Sequence, residues 1–69
     1  MNLREARFKR NITQFELRLK TGIHQSKISY FERGYIVPTS TEIKAIAKAL
    51  NFRPEEIKWK ANDEGLVQA

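Results

Sequence analysis

At 69 residues the chain has room for one domain, burying about 60% of the surface its unfolded form exposes, and without cysteine and with one histidine it excludes disulfides and metal clusters. Its longest apolar runs are a few residues and its N-terminus begins Met1-Asn2-Leu3-Arg4-Glu5, which excludes a membrane span and a signal peptide and leaves the cytoplasm as the expected location. The net charge of +5 is uneven: residues 1–34 carry eight basic groups against three acidic ones and residues 35–69 carry five of each, which points the N-terminal half at a polyanion.

Residues 3–10 (LREARFKR) contain good helix formers and no breaker, so a first helix is expected to end near Asn11. Thr13-Gln14-Phe15-Glu16 is a capping box: the Thr hydroxyl accepts from the backbone N–H near Glu16 and the Glu carboxylate reaches back. It opens a second helix over about 14–21, which Gly22 ends by supplying a left-handed residue. After a turn at Ile23 and His24, a third helix is expected over about 25–33, terminated by Gly34. Two short helices on so tight a turn must cross steeply. Tyr35-Ile36-Val37-Pro38 reads as a loop. A second capping box, Thr39-Ser40-Thr41-Glu42, then opens an amphipathic fourth helix with Ile43, Ile46, Ala47 and Leu50 on one stripe and Asn51 at its end. Pro54-Glu55-Glu56-Ile57 places proline and acids where a fifth helix would begin, continuing to Trp59. The expected fold is an all-α, five-helix bundle over residues 1–60, with 61–69 as a frayed tail.

On a helical wheel Gln25, Ser26, Ser29, Tyr30 and Arg33 share one arc of about 140°, and Ile28 and Phe31 lie opposite. Two apolar residues thus anchor the third helix, while its open face carries side chains suited to base edges and phosphates. Gln pairs bidentately with adenine, Ser donates or accepts, and Arg clamps guanine or a phosphate. A surface chosen only for solubility would carry Glu and Lys; this arc has no acid.

The run Thr13-Gln14-Phe15-Glu16-Leu17, through Gly22-Ile23 to Ile28-Ser29 and Phe31-Glu32-Arg33-Gly34, resembles the phage-repressor (Xre/Cro) type of helix-turn-helix protein, and the likeness extends over about residues 3–57. The resemblance implies a lambda-repressor-like fold whose third helix enters the major groove of double-stranded DNA. It places Gln14 on a phosphate, Gln25, Ser26 and Tyr30 at base-reading positions, and Lys27, Arg33 and the Gly34-Tyr35 backbone at phosphates. It also implies an ion pair between Arg7 and Glu32, joining the first helix to the end of the third.

Three positions depart from the family pattern. Arg18 stands where a small Ala is usual, and its stem is expected to lie along the helix contact with the guanidinium reaching out to a phosphate. Thr21 replaces a common apolar residue, so the helix contact is expected to be looser or slightly rotated. His24, where Ser or Thr usually caps, reads as a capping or phosphate-adjacent residue, with no nucleophile and base around it to suggest catalysis. Phe8, Phe15, Ile57 and Trp59 read as core residues, and if several were exposed together they would mark a dimer or partner surface.

The expected activity is that of a sequence-specific regulator, a repressor acting as a homodimer on a palindromic operator, with the segment Pro54 to Trp59 as the candidate dimer site. No enzyme activity, cofactor or metal is expected. The alternatives are an antitoxin-like or co-regulator module that holds a protein partner through Phe15, Leu19 and Trp59, and a basic RNA-associated structural protein.

Overall fold

A computed structural model describes residues 1–59. It contains four α-helices, α1 (Leu3–Lys9), α2 (Gln14–Thr21), α3 (Gln25–Arg33) and α4 (Ser40–Leu50), followed by a single 3₁₀ turn at Pro54–Glu56. The tail expected over residues 61–69 lies outside the described residues.

Local sequence sets the helix starts. Reciprocal capping boxes close the N-termini of α1 (Asn2 with Glu5), α2 (Thr13 with Glu16) and α4 (Thr39 with Glu42), each satisfying two backbone N–H groups that the helix itself cannot. Left-handed residues end three of the four: Gly22 at φ 77°, Gly34 at φ 77° and Asn51 at φ 59°. At Gly22 the left-handed φ, which L side chains rarely adopt, is what lets only three residues separate α2 from α3.

The core is one cluster to which every helix contributes: Leu3 and Ala6 from α1, Leu17 from α2, Ile28 and Phe31 from α3, and Ile46 and Leu50 from α4. α2 packs on both α3 and α4, and α1 packs on α3. Because Ile28 is fully buried and Phe31 nearly so, the opposite face of α3 is turned outward, as the wheel requires.

Two expectations need correction. The fifth helix does not form, because Ile57 adopts an extended backbone (φ −115°, ψ 135°) that carries its side chain into the core. Beyond it the Lys58 N–H donates to the Met1 carbonyl at 2.7 Å, within an isolated parallel bridge between Asn2 and Lys58. Burial of Ile57 and pairing with the N-terminus outweigh one more helical turn. Within the segment expected as the dimer site, Ile57 is 3% exposed and Trp59 packs on the core while its indole N–H donates to the Pro54 carbonyl at 2.9 Å, whereas Glu55, Glu56 and Lys58 are exposed.

The second correction concerns Phe8 and Phe15, which are exposed at 62% and 52% and not part of the core. With α1 only seven residues long, Leu3 and Ala6 fill its inward stripe and Phe8 falls outside it. On α2, Leu17 alone is fully buried, leaving Phe15 and Leu19 on the outer side.

Candidate nucleic-acid interface

α3 begins at His24, whose imidazole Nδ1 accepts from the Ser26 backbone N–H at 3.2 Å and lies 2.8 Å from the Ser26 hydroxyl. His24 is therefore the cap expected from its position, and it draws the Ser26 side chain into the cap. The preceding turn is fixed by Thr21, whose hydroxyl donates to the Leu17 carbonyl at 2.8 Å and accepts from the Ile23 N–H at 3.1 Å. A polar residue at this site ties the end of α2 to the turn. α2 and α3 are in contact across this turn.

Along α3, Ser26 and Tyr30 are exposed, while Gln25 and Ser29 are half-buried. At its C-terminus the Tyr35 N–H donates to the Tyr30 carbonyl at 3.0 Å and the Gly34 N–H to the Phe31 carbonyl at 3.2 Å. Both N–H groups are thus engaged inside the helix cap. The Tyr35 side chain remains exposed, with its ring 5.8 Å from that of Tyr30 and the Arg33 guanidinium 5.9 Å from its centroid.

Behind this face lies a buried ionic node. The Arg7 Nε donates to Glu32 Oε2 at 2.5 Å and its Nη2 to Oε1 at 3.1 Å, while Nη1 donates to the Ile12 carbonyl at 3.0 Å. Both side chains are less than a tenth exposed. The Gln14 amide also donates to Glu32 Oε1, at 3.0 Å, so one carboxylate ties α1, α2 and α3 together. An amide nitrogen carries two hydrogens, and Gln14 has spent one of them here. The paired Arg7 and Glu32 are as the resemblance implies; the link to Gln14 is not visible in the sequence.

The structure also sorts the basic groups. Arg10 is a structural residue: its guanidinium donates to the Leu50 carbonyl at 2.7 Å and the Asn51 carbonyl at 3.0 Å, and lies 3.9 Å from the Phe52 ring centroid. It satisfies carbonyls at the C-terminus of α4, where a cation also opposes the negative helix pole. Lys27 forms an ion pair with Glu42 at 2.5 Å and so links α3 to the start of α4. Arg18 is exposed on α2, and neither it nor Arg33 or Arg4 joins an ion pair among the described residues. Arg4 was not singled out from sequence. Its nearness to α3 depends on how α1 packs.

The Lys27 hydrogen bond, followed by the Thr39 backbone N–H, holds the Glu42 carboxyl below its ordinary value of 4.5. A carboxylate with a depressed folded value contributes stability that is complete above the unfolded value and is lost as pH falls through the folded one. Acid destabilisation is therefore expected to be shallower in Glu42→Gln than in the parent, as read by urea melts from about pH 6 down to about pH 3. Identical slopes for the two proteins would refute it.

A family model described as helix-turn-helix matches residues 3–57, which takes in all four helices and the 3₁₀ turn. The chain belongs to the Xre, lambda-repressor-like helix-turn-helix family. This helix-turn-helix protein accordingly carries a DNA-binding regulatory domain. Searches of curated proteins and of solved structures returned no match to it. No helix among its described residues is long and apolar enough to cross a membrane.

Proposed function

We propose that this protein is a sequence-specific transcriptional repressor that binds a two-fold symmetric operator as a homodimer, laying α3 in the major groove of each half-site. One observation carries the reading: α3 is held from behind by Ile28 and Phe31 and presents an open face with no acid on it, bordered by Arg4 and Arg33, which join no ion pair among the described residues.

In this reading Gln25, Ser26, Ser29 and Tyr30 meet base edges, with Gln25 at the N-terminal end where side chains reach deepest. Arg18, Arg33 and the Tyr35 hydroxyl meet phosphates, as does the second amide hydrogen of Gln14, whose orientation Glu32 sets. Lys27, whose side chain is about half exposed, joins this set by sharing its three-donor ammonium with Glu42. Dimerisation is argued from need, because a single small module buries only about 600 to 1,000 Å² on DNA and two half-sites about 34 to 36 Å apart double the readout. The role of repressor follows the family resemblance, and with it a cytoplasmic location.

Selection of bound duplexes from a random pool is the direct test. A two-fold symmetric consensus is expected, and Gln25→Ala should relax preference at one base pair per half-site by about 1 to 3 kcal/mol. Recovery of unrelated sequences that bind equally well would overturn sequence specificity, and an asymmetric single site would overturn the dimer.

The alternative of a protein-binding module draws on Phe15 and Leu19, which stand four residues apart on the outer side of α2 and are exposed at 52% and 68%. Trp59, the third residue of that expectation, is packed on the core. A stoichiometric protein partner that protects Phe15 and Leu19 would favour this reading.

A further inference from the structure

The flank of α3 nearest α1 borders a groove lined by Arg4 and Phe8 from α1, Gln14 from α2, and Ser29 and Arg33 from α3, next to the Arg7–Glu32 pair. Its lining is rich in donors. Arg4, Arg33, the Gln14 amide N–H and the Ser29 hydroxyl can all donate, and the one carboxylate beside them, Glu32, already takes three hydrogen bonds. Since Glu32 neutralises Arg7, the charge left over is that of Arg4 and Arg33, neither of which has an acidic partner among the described residues.

Phe8 stands out as an exposed aromatic in this setting. The Arg4 guanidinium lies 5.3 Å from its ring centroid and that of Arg7 lies 5.4 Å away. A cation over an aromatic face is attracted to it and loses part of its freedom. The exposed ring thus serves as a platform that holds a charged side chain at the edge of the groove.

We infer that this groove seats one phosphodiester of the DNA backbone beside the base-reading face, with Arg4 as its principal donor and Phe8 as the platform that orients Arg4. The inference rests on the DNA-binding reading above and adds a contact that neither the wheel nor the family resemblance assigned. A single phosphodiester suits the site: it carries one negative charge, and the planar guanidinium matches two of its oxygens. Ser29 then lies between base and backbone, close to both.

The test uses the full 69-residue chain and a labelled random-sequence duplex titrated over a range of potassium chloride concentrations. Arg4→Ala is expected to weaken binding about tenfold or more and to lower the slope of log affinity against log salt by about 0.9 per protomer, without changing the selected consensus. Arg4→Lys keeps the charge and should keep the slope. Phe8→Leu should weaken binding while leaving the slope intact, because it removes the platform and not the charge. Arg4→Gln supplies the same comparison as Arg4→Ala if the alanine variant melts early. A parent protein that binds duplexes with a salt slope which neither Arg4→Ala nor Arg4→Gln changes would overturn the phosphate seat and leave the DNA-binding reading standing. Absence of salt-dependent binding by the parent itself would overturn both.

Discussion

Glu32→Ala is expected to destabilise the domain by about 3 to 5 kcal/mol, the cost of leaving a buried charge without its partner. Glu32 takes three hydrogen bonds from two other helices, and its removal strands Arg7, which is 7% exposed and keeps, among the described residues, the Ile12 carbonyl and the Phe8 ring. A domain of this length has a total stability of about 3 to 10 kcal/mol, so the loss is about three tenths of it or more. The measurement is the urea midpoint at neutral pH, and a loss below about 1 kcal/mol would mean that the pair behaves as a surface one. Replacing both Arg7 and Glu32 with Met distinguishes charge burial from packing. If the stranded charge is the main cost, the double variant should be much closer to the parent than Glu32→Ala is. Its DNA affinity should nonetheless fall, since Gln14 loses the carboxylate that orients it.

Ile28→Ala is the second large effect, expected to cost about 2 to 5 kcal/mol. Ile28 is fully buried within the cluster that joins all four helices, and shares with Phe31 the anchoring of α3. Truncation removes apolar burial and leaves a cavity at the contact that holds α3 against the core. DNA affinity is expected to drop by more than the fraction unfolded accounts for, because the remaining folded molecules hold α3 less firmly. Ile28→Val, costing about 0.5 to 1.5 kcal/mol, should keep both fold and affinity nearly intact. Equal stability of Ile28→Ala and the parent would contradict the anchoring role.

The exposure of Phe8 and Phe15 assigns these two rings to different tasks. Phe8 sits beneath two guanidinium groups and is accounted for by them. Phe15 has no such neighbour among the described residues and, with Leu19, lies on the outer side of α2.

Much of the fold was legible in the sequence because its signals are local. A capping box acts over three residues, a left-handed glycine over one, and the apolar stripe of α4 over eleven. These placed α2, α3 and α4 and their ends, and the wheel correctly turned Ile28 and Phe31 inward. α1 was read from its helix formers alone, without the Asn2–Glu5 capping box that starts it. The family likeness added the Arg7–Glu32 pair, which no local rule supplies.

What the tertiary structure alone decided is how residues distant in the chain use their charges and rings. Arg10, one of eight basic groups in a half read as polyanion-facing, is drawn to carbonyls 40 and 41 residues away, and Lys27 is tied to Glu42. Arg4 and Phe8 border α3 because α1 packs against it, and Ile57 leaves its expected helix to fill the core beside the N-terminus. Side chains choose partners after the helices have docked, and docking depends on the whole apolar cluster at once. The sequence by itself determined four helices and the face of α3 that looks outward; packing determined which cations beside that face have no acidic partner among the described residues.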